Sequence, residues 1–139
     1  MLLRLLAVAA LVFSLDQFTK LLVARRLAEG QSVPVASRVK IRRVSNVRGV
    51  LLPNPRVLLL VLAAILGGIC LIVRQGYFFQ RRIAQIALGL ALGGACSNVY
   101  DQIRRGAVMD FLDLGWWPVF NLADVAITIG VIMALWFFH

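Results

Sequence analysis

Asp110 and Asp124 lie in two short apolar settings, Val108-Met109-Asp110-Phe111 and Phe120-Asn121-Leu122-Ala123-Asp124, within a 139-residue chain that is 61% hydrophobic. A carboxylate beside hydrocarbon must be paired, face a polar cavity or hold a proton, so each is a candidate functional residue. If the two meet, they cannot both ionise cheaply, and one keeps a proton near neutral pH. Such a pair can cut a peptide bond. The anionic member takes a proton from water, the protonated member hydrogen-bonds to the scissile carbonyl, and the roles exchange as the gem-diol collapses. The titration belongs to the pair rather than to either residue.

The elements that must bring the two together read as helices. Mean hydropathy is +0.88, and residues 2–24, 57–73, 83–100 and 118–138 each approach the ~20 residues needed to cross a ~30 Å hydrocarbon layer. The sequence therefore predicts an all-α membrane protein: one domain over residues 1–139 with four transmembrane helices. The first stretch resembles a signal peptide in its Arg4 and apolar core. Its pattern continues past Asp16 and Lys20 without a small-x-small cleavage site, so it is retained as a helix. Antiparallel third and fourth helices would bring Asp110 and Asp124 together at adjacent ends. A fourth helix starting at Pro118 would place Asp124 roughly 9 Å along its axis. Trp116 and Trp117 suit the water interface there.

The segment between the first two stretches is too long for a hairpin turn. Val33, Val35, Val39, Ile41 and Val44 alternate with polar residues, which predicts a small extramembrane β-cradle over about residues 30–52. A basic amphipathic surface segment is the alternative reading. Eight of the fifteen Lys and Arg lie between these stretches, from Arg25 to Arg56, and anionic lipid headgroups are their natural partner. Nucleic acid is not, because no basic domain interleaved with aromatics is present.

Asp16 and Lys20, four apart, share a helix face and can pair as a structural ion pair. Direct chemistry by Lys20 with Ser14, Ser45 or Ser97 would need a neutral lysine, which the neighbouring carboxylate disfavours. Gly89 and Gly93 form a small-xxx-small pattern suited to close helix packing. Asn98 and Asp101 follow on nearly the same face, with Arg104 and Arg105 close enough to neutralise or orient them. Cys70 and Cys96 read as packing residues, and His139 is the only histidine. No metal or organic cofactor is implied.

The motifs Leu15-Asp16-Gln17-Phe18-Thr19-Lys20, Asn46 with Gly49, Gly93-Gly94-Ala95-Cys96-Ser97-Asn98-Val99-Tyr100-Asp101, Val108-Met109-Asp110-Phe111 and Phe120-Asn121-Leu122-Ala123-Asp124 span nearly the whole chain. In these blocks the chain resembles the bacterial lipoprotein signal peptidases, intramembrane aspartyl proteases of signal peptidase type II. The resemblance implies cleavage of diacylglyceryl-modified prolipoproteins immediately before the lipidated cysteine. By the same resemblance Asp110 and Asp124 match the catalytic dyad, Asn98 and Asn121 its polar support, and Asn46 a substrate-facing position in the first loop. Gly49 and Ala123 join them as substrate-binding or dyad-supporting positions. Asp16, Lys20 and Asp101 look like structural residues around the site. The implied setting is the bacterial inner membrane, with both termini cytoplasmic and the dyad near the outer face. A count of loop Lys and Arg gives the opposite orientation.

The chain departs from the family pattern at Ser97, where glycine is usual, at Gln102, where arginine is usual, and at Asn46-Val47-Arg48-Gly49, where one residue is inserted. Two other readings stay open on residues alone: a non-proteolytic paralogue that binds lipidated or signal-anchored proteins, and a small proton- or ion-coupled transporter relying on Asp16 and Asp101.

Overall fold

A computed structural model describes residues 2–47 and 81–138. The expected helix at residues 57–73, and with it Arg48, Gly49 and Cys70, lies outside these residues. The described elements are α1 (Leu2–Arg26), β1 (Ser32–Pro34), β2 (Lys40–Asn46), α2 (Arg82–Arg105), β3 (Val108–Asp113) and α3 (Leu122–Phe138).

The polarity of α1 is inverted relative to a water-soluble helix. Leu3, Leu6, Leu11, Leu15 and Phe18 are exposed, while Asp16 and Lys20 are fully buried. That arrangement suits hydrocarbon outside and polar partners inside. Both α1 and α2 have the length and hydropathy of membrane-crossing helices, and α3 is a shorter apolar helix. Cys96, expected to pack internally, lies exposed on α2.

Helix α2 packs along both α1 and α3, which touch each other little. Glycine makes this possible on two faces. A Cβ on Gly93 would come within 2.5 Å of the Ala9 carbonyl of α1, and one on Gly94 within 2.5 Å of the Ala123 carbonyl of α3. The predicted small-residue device is present, and Gly94 extends it to the first turn of α3, where Asp124 sits.

The helix bounds differ from expectation for identifiable reasons. Helix α2 runs five residues beyond Tyr100, to Arg105, and ends at Gly106, whose φ of 69° and N–H bond to the Gln102 carbonyl form a left-handed cap. Helix α3 starts at Leu122 rather than Pro118, because Phe120 is engaged in a β-bridge with Leu112 and Asn121 caps the helix.

The expected cradle exists as a three-stranded antiparallel sheet of order β1-β2-β3. Two strands come from the first inter-helix segment, with Val33 opposite Ile41. The third comes from the segment after α2, whose sequence carries no strand pattern, and it pairs Val44 with Asp110 and Asn46 with Val108. The register shifts between Ile41 and Val44, an irregularity that re-aims the end of β2 carrying Asn46. Arg43 fastens the sheet to α1 by donating to the Ala24 and Leu27 carbonyls at the helix end.

Candidate active site

Asp110 occupies the middle of β3, and Asp124 the first turn of α3. Helices α2 and α3 pack antiparallel as expected, with Gly94 against Ala123 and Gly130 against Ala87, and a strand bridge completes the approach. Phe120 exchanges backbone hydrogen bonds with Leu112, at 2.8 and 3.1 Å, and this clamp brings the next residue, Asn121, against Asp110.

Asn121 then connects both aspartates. Its Nδ2 donates to Asp110 Oδ1 at 2.8 Å, and its backbone N–H donates to Asp124 Oδ2 at 3.2 Å. The Asp124 N–H returns a 2.9 Å bond to Asn121 Oδ1. The reciprocal pair is a capping box, so the interaction that begins α3 also fixes the Asp124 side chain. Asn98 of α2 donates from Nδ2 to Asp124 Oδ1 at 2.9 Å, and Asn46 of β2 donates to Asp110 Oδ2 at 3.4 Å.

Asp110 is 3% exposed, whereas Asp124 is half-buried. Burial first, and the neighbouring Asp124 carboxylate second, push the Asp110 carboxyl up to about 6, against the opposing effect of Asn46, Asn121 and the Lys20 charge. Both carboxyls share Asn121 as a donor, which places them as neighbours.

Buried polar groups from α1 and α2 lie beside the two aspartates. Lys20 Nζ lies 2.6 Å from Asp16 Oδ2, 2.7 Å from Asp101 Oδ2 and 3.1 Å from Asn98 Oδ1. Asp16 Oδ1 accepts the Ala123 N–H at 2.9 Å, fastening the first turn of α3 to α1. Ala123 itself is fully buried against Gly94, so it contributes a backbone donor and a close helix contact rather than a substrate-facing surface.

Two sequence departures have structural counterparts. Ser97 Oγ donates to Asp16 Oδ2 at 2.6 Å and accepts from Gln17 Nε2 at 2.9 Å. Arg105 pairs with Asp101 at 3.1 Å, one turn beyond Gln102, while Arg104 turns to the Tyr100 hydroxyl. Gln17, which the motif contained without a role, also donates to Asp101 at 3.0 Å. Its position one residue after Asp16 was the only available signal.

An apolar groove of about 420 Å³, lined by Thr19, Leu22, Val23, Val33, Ile41 and Phe111 among others, lies between α1 and the sheet. Phe111 and Asp110 are consecutive on β3 and point to opposite faces, so this groove is on the far side of the strand from the aspartates.

Comparison with known proteins identifies the family. The family model for signal peptidase (SPase) II matches residues 8–139. A lipoprotein signal peptidase of Halothermothrix orenii is 37% identical over 139 residues, covering 93% of this chain and 92% of the relative. One from Geobacillus thermodenitrificans is 39% identical over 133 residues, covering 90% and 82%. A bacterial membrane enzyme solved by the in meso method at 2.3 Å superposes with a TM-score of 0.78 at 27% identity, over 96% of this chain and 86% of that one. A second, solved at 1.9 Å, gives a TM-score of 0.73, over 96% and 91%. With inverted helix polarity, a small sheet and a family match over most of its length, the chain is an integral membrane protein that belongs to the signal peptidase II family.

Proposed function

We propose that Asp110 and Asp124 are the catalytic dyad with which this chain removes signal peptides from prolipoproteins. The enzyme is an aspartic endopeptidase of the signal peptidase II type. The observation carrying the dyad assignment is Asn121, whose side chain and backbone donate to the two aspartates at 2.8 and 3.2 Å.

In the proposed reaction, the buried Asp110 is biased toward holding the shared proton. The protonated carboxyl hydrogen-bonds to the scissile carbonyl while the partner carboxylate takes a proton from the attacking water. Collapse of the gem-diol then returns a proton to the leaving amine. Asn98, Asn121 and Asn46 hold the carboxyls, and no organic cofactor or metal enters the scheme. Gly49 is the proposed second substrate-facing position beside Asn46.

The finer features belong to the same proposal. One membrane-embedded domain with four transmembrane helices acts on diacylglyceryl-modified substrates immediately before the lipidated cysteine. Its termini are cytoplasmic, and its dyad lies near the outer face of the inner membrane. Anionic headgroups meet the exposed Arg38, Lys40 and Arg42.

The test is incubation of the reconstituted chain with a diacylglyceryl-modified prolipoprotein, with mass spectrometry of the products. The expected product begins at the lipidated cysteine and is absent with Asp110→Asn or Asp124→Asn. Substrate binding without cleavage by the unaltered chain would instead support the non-proteolytic paralogue.

A further inference from the structure

Lys20 is fully buried, and its ammonium has three donors for three acceptors: Asp16 Oδ2, Asp101 Oδ2 and Asn98 Oδ1. An ammonium accepts nothing, so its contact with Asn98 fixes which end of that amide faces α1. Asn98 Oδ1 also accepts from Asn121 Nδ2 at 3.1 Å. With two donors converging on the oxygen, Nδ2 is left to point at Asp124 Oδ1, 2.9 Å away.

We infer that Lys20 is a positioning residue of the dyad, locking the Asn98 amide so that it presents a donor, never an acceptor, to Asp124. A second arm reaches the same residue. Lys20 pairs with Asp16, whose Oδ1 holds the N–H of Ala123, the residue preceding Asp124. One ammonium thus restrains both the side chain and the backbone of Asp124 from a neighbouring helix. The inference rests on the dyad assignment and adds to it what keeps one carboxylate in register.

The charge arrangement shows why a neutral residue would not serve. Asp16 and Asp101 are both fully buried, and the partly exposed Arg105 reaches only Asp101. Removing Lys20 alone leaves Asp16 without a cation while Asp101 keeps Arg105, which threatens folding whatever happens at Asp124. The informative variant is therefore Lys20→Met with Asp16→Asn, which removes the buried pair whole, leaves Asp101 on Arg105 and keeps an amide oxygen to accept the Ala123 N–H.

A second variant, Asn98→Asp, keeps an acceptor for Lys20 and Asn121 but puts a carboxylate oxygen where Asp124 has a donor. The charged groups around that position are Asp16 and Lys20 from α1, Asp101 with Arg105 on α2, Asp110 from β3 and Asp124 on α3. Once protonated, the new carboxyl can donate again.

Single-turnover cleavage of a diacylglyceryl-modified prolipoprotein by the folded variants, checked by thermal melt, decides the matter. Lys20→Met with Asp16→Asn is expected to lower kcat about 100-fold with KM within about twofold, the signature of misplaced catalytic groups rather than lost binding. The Asn98→Asp deficit, measured against the unaltered enzyme at each pH, is expected to shrink at least about tenfold between about pH 8 and about pH 5. A folded double variant that cleaves within about threefold of the unaltered enzyme, or an Asn98→Asp deficit independent of pH, overturns the inference. If the double variant does not fold, the Asn98→Asp profile decides alone. Retained cleavage by Asp110→Asn or Asp124→Asn would signal failure of the dyad assignment itself, a separate outcome.

Discussion

Asp110 has a cost and a use that come from the same burial. Its carboxyl stands at about 6 against an ordinary 3.8, so ionising it opposes folding. The sign follows directly: the folded state binds this proton more tightly than the unfolded chain. Its stabilising share is fully present below about pH 4 and is lost as pH rises through about 6. Asp110→Asn should therefore abolish cleavage yet raise stability at pH 7 by at most about 3 kcal/mol, a gain that disappears below about pH 4 in a melt series. A variant no more stable than the parent at pH 7 would remove the burial explanation. Asn46 works in the other direction, since its hydrogen bond favours the ionised carboxyl. Asn46→Ala should move the alkaline limb of kcat/KM upward by a few tenths of a pH unit; a downward shift would contradict that role.

At the scale of elements, the site depends on where α3 begins. The Phe120 bridge, the Asn121 capping box and the contact of Gly94 with the Ala123 carbonyl all fix its first turn. Asn121→Ala removes the cap and donors to both aspartates. It should destabilise the fold by about 1 kcal/mol or more, and the same variant should lose cleavage nearly completely. Gly94→Ala forces α2 and α3 apart beside Asp124, and a kcat drop of about 100-fold with KM little changed is expected. Unchanged kcat would show that this close approach is dispensable. Much of this level was legible in the chain. Helix α1, the pairing of Asp16 with Lys20, the glycine seam and the strands around Val33 and Val44 each follow from spacing alone. Strand β3 did not, because Val108-Met109-Asp110-Phe111 is a short apolar run without alternation, buried by partners distant in sequence. The start of α3 was misplaced for a related reason: nothing local at Pro118 or Phe120 reveals that Phe120 bonds to Leu112. The compensation of Asp101 by Arg105 was open between two arginines until helical geometry chose one.

For the whole molecule, the basic first segment sets a conflict between charge counting and the proposed orientation. The structure changes how those charges are counted. Arg43 holds the α1 carbonyls, while Arg38, Lys40 and Arg42 remain exposed on the sheet. A folded sheet on anionic headgroups gives such side chains partners on the outer surface. With Cys70 and Cys96 replaced by Ser, an Arg42→Cys probe should react with an impermeant thiol reagent from outside the inner membrane. Labelling only from the cytoplasmic side would reverse the proposed topology. Among the described residues, three helices and a sheet packed around one polar core also explain how a chain of 139 residues positions two carboxyls near hydrocarbon. Every buried carboxylate in that core has a named donor or cation.

The decisive measurement compares single-turnover cleavage of a diacylglyceryl-modified prolipoprotein by Asp110→Asn, Asp124→Asn and the doubly substituted chain. Residues that share one proton act as a unit, so each single substitution should lower the rate by about 1,000-fold or more and the double should be no slower than the worse single. Cleavage within about tenfold of the parent by either single variant, or losses that multiply in the double, would contradict the shared-proton dyad.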